Sequence, residues 1–461
     1  MKTKLQEFLE IEKQEQFYDI TIQHIPIWHY YRYFYRYKYV STQTGVKGKS
    51  NTLTWGLLLK NCCKNVFRSI CDVTKLYVSG KKVKNVVFAF PRLQCRDGVY
   101  FDKITDPAID ASSLSDSVCI MQFSFRNHFG NNRRNASKVC NIEVLFVLAY
   151  LLLPLYALYR LFSLDFYKIN KVYNKARRYV PLNWRDLVSF HASYLSFRVL
   201  SFFMKRILTR LKVERLFGVD RKVFEMATIS AHQLGIPVYE FQHGVTFGDT
   251  ALYSGPDCYQ LDPDYFLSFG EIWNGNQFGI SPDRIINIGW AYKDEVLKHI
   301  SQAVKPKSVM VVSSPEITFK ILQTVEELAA TYPDYQFDIR CHPMEKYTDE
   351  QLSVVDSYSN VSIADTSIDS NIAIGQYEYV LGENSSVVFE ALSFGKKVGR
   401  ICYNDIKSKR LGDIVDDGFY YLNSKEDFLS FVSNTQSQTA GRAYSDFMPD
   451  VVDGLPKKQY I

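Results

Sequence analysis

The sequence predicts an α/β protein with two Rossmann-like, doubly wound domains in series, preceded by a mainly helical N-terminal appendage. Short runs of β-branched and aromatic residues alternate with amphipathic helical patterns, as in parallel sheets with crossover helices. The 461 residues also exceed what one hydrophobic core organises. We expect the following division: an appendage at 1–80, a first Rossmann-like domain at 81–292, a second Rossmann-like domain at 300–440 and a tail at 441–461.

The first predicted domain contains several short apolar runs that end at turn residues. We predict strands at KNVVFAF (84–90), VCIMQF (118–123), VERLFGVD (213–220), IPVYEF (236–241) and YFLSFG (265–270). A helical pattern over 221–234 stops at Gly235 and joins two of these strands. Strand, helix and strand at this spacing are typical of a parallel sheet.

The second predicted domain repeats the alternation. Its predicted strands are SVMVVSS (308–314), QFDIRCHP (336–343), YEYVLG (377–382) and KVGRI (397–401). Amphipathic helices are predicted at ITFKILQTVEELAATY (317–332) and SVVFEALSFG (386–395).

Charge is distributed unevenly along the chain. Residues 1–220 hold 35 Lys and Arg against 16 Asp and Glu, whereas residues 221–461 hold 20 against 33. A basic first half rich in Tyr and Phe indicates an anionic partner, either nucleic acid or an anionic membrane surface. The nine cysteines form no C-x-x-C pair, so we expect reduced thiols and no structural metal.

Two segments have a composition that is compatible with contact with a membrane. The sixteen residues Val144–Tyr159, within an apolar region at 144–162, carry no charge and have basic flanks. A span needs about 20 residues, so a buried core helix, an interfacial helix and a true span are all open. The aromatic run at 26–40 suits base stacking or a membrane surface; alternatively its Tyr and Trp side packs on the domain while Arg32 and Arg36 face water.

Three polar clusters are predicted at strand ends, where open α/β sheets bind ligands. The first is Gln242-His243-Gly244. The histidine could take a proton, hold a phosphate or only bond the turn, and glycine lets the backbone approach a ligand. The second is His342-Pro343, in which the imidazole can donate to a phosphate oxygen.

The third cluster is the turn that opens the helix at 386–395. Ser385 and Ser386 offer hydroxyl and backbone N–H groups to an anion, and Glu390 lies one turn further on the same helix face. A phosphate at the helix start and a ribose at the carboxylate would fit one nucleotide. The alternative is that Ser385 is a plain N-cap and Glu390 a surface residue.

The motifs RCHP, GENSSVVFEALSFGKKV and EFQHGV together resemble bacterial surface-polysaccharide glycosyltransferases of the GT-B fold. The resemblance is to enzymes that use CMP-activated sugars, such as sialyl- and Kdo-transferases, and to polyol-phosphate transferases. It implies that the second domain binds the donor and that the first presents the acceptor at Gln242, His243 and Gly244. The donor-binding residues that it implies are Arg340, His342, Pro343, Ser385, Ser386 and Glu390.

In polysialyltransferases an acidic pair before a glycine supplies the base. The stretch CRDGVYFD matches that pattern in part, which makes Asp97 and Asp102 further catalytic candidates beside His243. Asp262-Pro263-Asp264 superficially matches the metal-binding D-x-D motif of the other glycosyltransferase fold, but it precedes a strand and contains proline. We interpret it as a turn and expect inverting transfer without a metal.

The function expected from these observations is glycosyl transfer to a lipid-linked surface polysaccharide or oligosaccharide. The donor would be a CMP- or UDP-linked sugar, with no other cofactor, and the enzyme would lie in the cytoplasm on the inner face of the plasma membrane. A CDP-polyol phosphotransferase, a nucleotide-sugar epimerase and a non-catalytic assembly protein are alternatives. Nucleic-acid binding is disfavoured because the second half is acidic and no known motif occurs. The oligomeric state is open.

Overall fold

The computed structural model describes most of the chain. The described residues are 4–44, 55–80, 82–123, 132–160, 163–246, 253–256, 258, 260–273, 280–300, 303–314, 317–342, 345, 347–383, 385–404, 406, 418–434 and 442–459. The N-terminal part is helical, with a small antiparallel hairpin. Its elements are α1 (Lys4–Gln14), β1 (Thr21–Ile22), β2 (Ile25–Pro26), α2 (Ile27–Thr44) and α3 (Trp55–Val78).

A seven-stranded parallel sheet forms the first α/β domain, in the order β11-β10-β9-β8-β3-β6-β7. Its strands are β3 (Asn85–Phe88), β6 (Val118–Gln122), β7 (Val139–Asn141), β8 (Arg215–Val219), β9 (Val238–Phe241), β10 (Tyr265–Ser268) and β11 (Ile285–Asn287). A separate hairpin pairs β4 (Gln94–Arg96) with β5 (Val99–Phe101). The helices are α4 (Thr105–Asp110), α5 (Glu143–Arg160), α6 (Asp165–Ala176), α7 (Trp184–Leu211) and α8 (Arg221–His232).

A six-stranded parallel sheet forms the second domain, in the order β14-β13-β12-β15-β16-β17. Its strands are β12 (Lys305–Val312), β13 (Gln336–Arg340), β14 (Val361–Ile363), β15 (Tyr377–Gly382), β16 (Lys397–Ile401) and β17 (Tyr420–Leu422). The helices are α9 (Tyr292–His299) before it, then α10 (Thr318–Thr331), α11 (Asp349–Asp356), α12 (Ser370–Ala373), α13 (Ser386–Ser393), α14 (Asp427–Ser433) and α15 (Pro449–Asp453). The predicted fold class, an α/β protein with two Rossmann-like domains in series, is confirmed.

Each sheet reverses its strand order once, and ligands bind at such points in open sheets. In the first sheet the reversal lies between β3 and β8, because the chain grows from β3 through β6 to β7 and then returns to β8. In the second it lies between β12 and β15. The loops after β3 and β8, and those after β12 and β15, are therefore the positions at which a ligand is expected, and the loop after β9 lies next to the first pair.

The N-terminal helices are an integral layer of the first domain, which differs from the predicted appendage. Trp28 and Tyr35 of α2 are buried in one hydrophobic cluster with residues of α6, α7 and α8. Arg32 is only 2% exposed and pairs with Glu12 of α1, at 2.5 Å from its Nε to Oε1. The alternative that packs the Tyr and Trp side on the domain is right for Trp28 and Tyr35. Its placement of Arg32 in water is wrong, because a carboxylate twenty residues earlier gives Arg32 a buried partner.

The C-terminal segment returns to the first domain instead of forming a free tail. The backbone N–H of Ser445 donates to Phe269 O at 2.9 Å, that of Met448 to Ile288 O at 2.8 Å, and that of Lys458 to Glu214 O at 3.0 Å. Phe269 and Ile288 follow their strands, whereas Glu214 precedes β8. Residues 445–458 thereby run along the first sheet from the carboxyl ends of its strands to the amino ends.

The apolar region at 144–162 coincides with α5, which packs against α3 and α7. Leu145 and Ala149 are buried, whereas Leu151 and Leu155 are more than 60% exposed. The helix is therefore not a buried core helix. Among the described helices, α7 alone is long and apolar enough to cross a membrane, and twelve of its side chains are buried.

Candidate active site

His243 follows β9 at the carboxyl edge of the first sheet. The centroid of its ring lies 5.6 Å from the centroid of the Phe90 ring, and Phe90 follows β3. The side chain is partly exposed, so one side contacts the domain and the other faces outward. This position lies beside the point where the strand order reverses.

A buried hydrogen-bond relay holds the histidine. Tyr253 OH lies 3.2 Å from His243 Nδ1 and donates to Glu240 Oε1 at 3.3 Å. Burial and then Glu240 raise the pKa of Tyr253 well above its usual range, so the phenol stays neutral. Because its single proton goes to Glu240, the phenol oxygen accepts from Nδ1–H, and Nε2 of the neutral imidazole is left as the proton acceptor.

The relay rests on buried ion pairs. Arg221 donates from Nη2 to Glu240 Oε2 at 2.7 Å and from Nη1 to Asp262 Oδ1 at 3.0 Å. The same Asp262 oxygen lies 3.0 Å from His29 Nε2 of α2. Burial acts to raise the pKa of Asp262, yet His29 and Arg221 outweigh it, and the net shift is downward. Glu240 is thus paired with Arg221 behind Tyr253.

Gln242 and Gly244 shape the loop that carries His243. The Gln242 side chain is fully buried; its Oε1 accepts from Phe269 N at 2.7 Å and its Nε2 donates to Gly244 O at 2.7 Å. Gln242 is thus a positioning residue for the loop. Gly244 has φ of +148°, which disfavours other residues, and no atom lies within 4 Å of where its Cβ would stand.

Asp102 has a structural role, unlike the predicted catalytic one. It is 1% exposed and accepts hydrogen bonds from Phe90 N at 2.8 Å, Ile104 N at 2.9 Å and the Thr105 hydroxyl at 2.6 Å. Its oxygens are therefore occupied, and through Phe90 it supports the ring beside His243. Asp97 is exposed at the tip of the β4–β5 hairpin, with φ of +50°.

The loop after β13 is closed by Glu345. Its Oε1 accepts from the Ser313 hydroxyl at 2.7 Å, and its Oε2 accepts from His342 N at 2.5 Å. The imidazole of His342 therefore sits in a loop that is tied to the end of β12. Arg340 is 8% exposed and donates to the carbonyls of Asp365 and Ile368. Its guanidinium thus braces the loop after β14, and the predicted site residue Pro343 lies outside the described residues.

The start of α13 lies at the reversal point of the second sheet. Ser385 is its N-cap, and its hydroxyl accepts from Val387 N at 3.4 Å. Ser386 is the first helical residue and partly exposed, so its hydroxyl and the backbone N–H groups of the first turn can contact an anion. A Cβ on Gly382 would stand 2.6 Å from Val388, so glycine is required for α13 to pack here.

Glu390 is buried further along the same helix, where a ligand at the helix start would not contact its carboxylate. It is 3% exposed, and its Oε2 accepts from Asn371 Nδ2. Asn371 in turn accepts from Lys103 Nζ of the first domain at 3.4 Å. Glu390 is thus neither a surface residue nor an open carboxylate but part of a polar link between the domains.

Other contacts bring the two strand-end clusters to the same region. The rings of Trp273, just after β10, and Phe389 of α13 lie 5.4 Å apart between centroids. Tyr292 OH of α9 donates to Asp369 Oδ2 at 2.9 Å. Since Gln242 bonds the backbone at the end of β10, the His243 loop and α13 both border this junction.

Sequence reasoning missed several polar residues of the site: Glu240 and Arg221 of the relay, Tyr253 and Asp220. Tyr253 lies ten residues beyond His243 and has no local signal. Asp220 ends β8 at the reversal point with φ of +62°, an unfavourable conformation for a non-glycine residue, and caps α8 through Lys222 N at 3.2 Å. Its strand-end position in VERLFGVD was the available signal.

In the described part of the chain, no group of three or more His, Cys, Asp or Glu side chains is placed so that it could hold a metal ion. Asp262 of the D-x-D sequence is instead committed to Arg221 and His29, as described above.

Comparison with known proteins finds similarity at the level of structure. No family model and no curated protein matches this sequence. The UDP-GlcNAc 2-epimerase from Methanocaldococcus jannaschii is 12% identical, with 80% of this chain and 98% of that chain covered and a TM-score of 0.47. The Neisseria meningitidis UDP-GlcNAc 2-epimerase bound to UDP-GlcNAc is 12% identical, with 68% and 81% covered and a TM-score of 0.39.

The wall teichoic acid polymerase TagF is 10% identical, with 81% of this chain and 88% of that chain covered and a TM-score of 0.40. All three TM-scores are below 0.5. Any function of this chain therefore has to be inferred from its own site residues.

Proposed function

We propose that this protein is a nucleotide-sugar-dependent glycosyltransferase in which His243 takes the proton of the acceptor hydroxyl. The observation that carries the proposal is the relay from Glu240 through Tyr253 to His243 Nδ1. A neutral imidazole held at Nδ1 by a phenol and a carboxylate has its Nε2 lone pair oriented for proton transfer. The open space at Gly244 gives a hydroxyl room to approach.

The donor's phosphate would bind at the start of α13, at Ser385 and Ser386, and His342 would lie near it. As the sugar moves, its bond to phosphate oxygen breaks and a bond to the acceptor oxygen forms. The acceptor proton goes to His243 Nε2, and the nucleotide leaves with the electron pair. The helix N-terminus stabilises the negative charge of the departing phosphate. Inverting geometry follows from a single displacement.

The donor would carry CMP or UDP, and the acceptor would be a lipid-linked glycan at the cytoplasmic face of the membrane. An acceptor at the membrane would account for the basic, aromatic first half of the chain, so nucleic-acid binding is not needed to explain that composition. The assignment also gives the two domains separate tasks, acceptor activation in the first and donor binding in the second.

The test measures nucleotide release from CMP- and UDP-sugars with and without a lipid-linked oligosaccharide acceptor. We expect release that requires acceptor and that falls about 10²- to 10⁴-fold in His243→Gln, since a general base contributes about that much. Phosphorus incorporated into the product would instead indicate a polyol phosphotransferase. Donor converted without acceptor would indicate an epimerase, and polymer synthesis unchanged in His243→Gln would indicate a non-catalytic role.

A further inference from the structure

The surface of α5 is apolar on the side that faces away from the protein. Leu148, Leu151, Leu152, Leu155 and Leu158 are 36–68% exposed, and Tyr150 among them is 64% exposed. Scattered exposed leucines are ordinary on a soluble protein, but a row along one helix face is not. The opposite side of the helix is anchored by Leu145 and Ala149.

The neighbouring helix α3 extends this apolar surface. Its Ser69 hydroxyl donates to Asn141 O at 2.8 Å and accepts from Val144 N at 2.9 Å, which fixes α3 beside the start of α5. Phe67 and Ile70, on either side of that serine, are 72% and 45% exposed. We call this surface the α3–α5 face and define it by Phe67, Ile70, Leu148, Leu151, Leu155 and Leu158.

The charge around the α3–α5 face is mostly positive. Residues 143–211, which form α5 to α7, contain 11 Lys and Arg but only three Asp and Glu. Of those acids, Glu143 is buried, and Asp186 pairs with Lys38 at 2.7 Å. On α7, which packs against α5, the exposed Arg206 guanidinium lies 4.5 Å from the centroid of the exposed Phe202 ring.

We propose that the α3–α5 face docks on the surface of an anionic lipid bilayer, with α5 lying in the interface. Leucine rows enter the acyl boundary, while bordering Lys and Arg meet phosphate headgroups, which is the chemistry of an interfacial amphipathic surface. The helix does not cross the bilayer, because one side is packed on the domain and its sixteen uncharged residues fall short of the about 20 needed.

The docking would orient the active site. Helix α5 begins two residues after β7 ends, so its first turn lies at the carboxyl edge of the sheet that also carries His243. That edge would be held near the membrane, where a lipid-linked hydroxyl could reach it. The docking itself is independent of the proposed transferase activity, and it is measured without any sugar.

The test is co-sedimentation of the full chain with two kinds of vesicle, phosphatidylcholine alone and phosphatidylcholine mixed with phosphatidylglycerol. We expect binding to the mixed vesicles that weakens as salt is raised, because salt screens charge attraction at the surface. Leu151→Glu/Leu155→Glu should bind at least about tenfold less, since two apolar side chains are lost from the lipid and two negative charges are added.

A matched control is Leu429→Glu on α14 of the second domain, where the leucine is 53% exposed but lies outside the face. It should bind vesicles as the wild type does. The proposal is overturned if the wild type binds neither kind of vesicle, or if the double variant binds the mixed vesicles as strongly as the wild type does. It is also overturned if light scattering shows a wild-type dimer that the double variant converts to a monomer, since the face would then join two copies.

Discussion

At the scale of single residues, the decisive feature is that Tyr253 has one proton and two neighbours that could accept it. Its bond to Glu240 determines which nitrogen of His243 is free, so removing the hydroxyl should affect proton transfer more than binding. For Tyr253→Phe we expect kcat to fall about ten- to a hundredfold with little change in KM. Steady-state kinetics with donor and acceptor varied separately measure both.

The rate loss in Tyr253→Phe should exceed the loss caused by removing a similar tyrosine hydroxyl elsewhere in the chain. The matched control is Tyr358→Phe, whose hydroxyl donates to Glu326 at the same 3.3 Å in the second domain. Equal losses of rate in the two variants would refute the positioning role of Tyr253.

At the scale of elements, the start of α13 places a capping serine, Ser385, next to Ser386, the serine proposed to bind phosphate. Ser385→Ala removes the N-cap and should lower stability by about 1 kcal/mol. Ser386→Ala should leave the free protein as stable as the wild type but reduce the rise in melting temperature caused by CMP or UDP. Thermal-shift titrations measure both effects. Ser393→Ala, at the other end of α13, is the control, and an equal loss there would contradict the phosphate site.

The helices α1 and α2 should be needed for folding, because they contain a buried ion pair. Arg32 donates to both oxygens of Glu12 and to Ser254, the residue after Tyr253. Arg32→Met leaves a buried carboxylate unpaired, and we expect a loss of about 3–5 kcal/mol in denaturant unfolding.

Glu12→Gln/Arg32→Met should regain part of that loss, since the amide still accepts from Trp28 Nε1 without carrying a charge. The comparison variant is Arg178→Met, whose exposed guanidinium lies 3.4 Å from Glu15 and should cost less than about 1 kcal/mol. Similar losses in Arg32→Met and Arg178→Met would argue against an integral N-terminal layer.

The same elements explain what the sequence could predict. The runs that became β9, β13 and β15 are rich in β-branched and aromatic residues and are followed by turn residues, so the local pattern placed His243, His342 and Ser385 near strand ends. Arg32 and Tyr253 depend on partners distant in the chain or separated by an irregular loop. A local pattern therefore placed Arg32 in water in one of its alternatives and gave Tyr253 no role.

At the scale of the whole molecule, the two sheets share one hydrophobic cluster at their junction. Trp273 of the first domain is fully buried against Phe389 of α13 and Tyr444 of the returning C-terminal segment. Polar links at Tyr292–Asp369 and Lys103–Asn371 border the same junction. The domains should therefore unfold together, because the unfolding of either domain would expose the apolar side chains that the other domain contributes to this cluster.

The contribution of this junction can be measured with Trp273→Ala. We expect a loss of about 3–5 kcal/mol, as for other large-to-small core changes, and a calorimetric trace that separates into two transitions. Phe428→Ala is the control, since Phe428 is equally buried but belongs to a cluster confined to the second domain. It should leave Trp273 and its contacts intact and so preserve the coupling between the domains. A single transition in Trp273→Ala would mean that the polar links alone couple the domains.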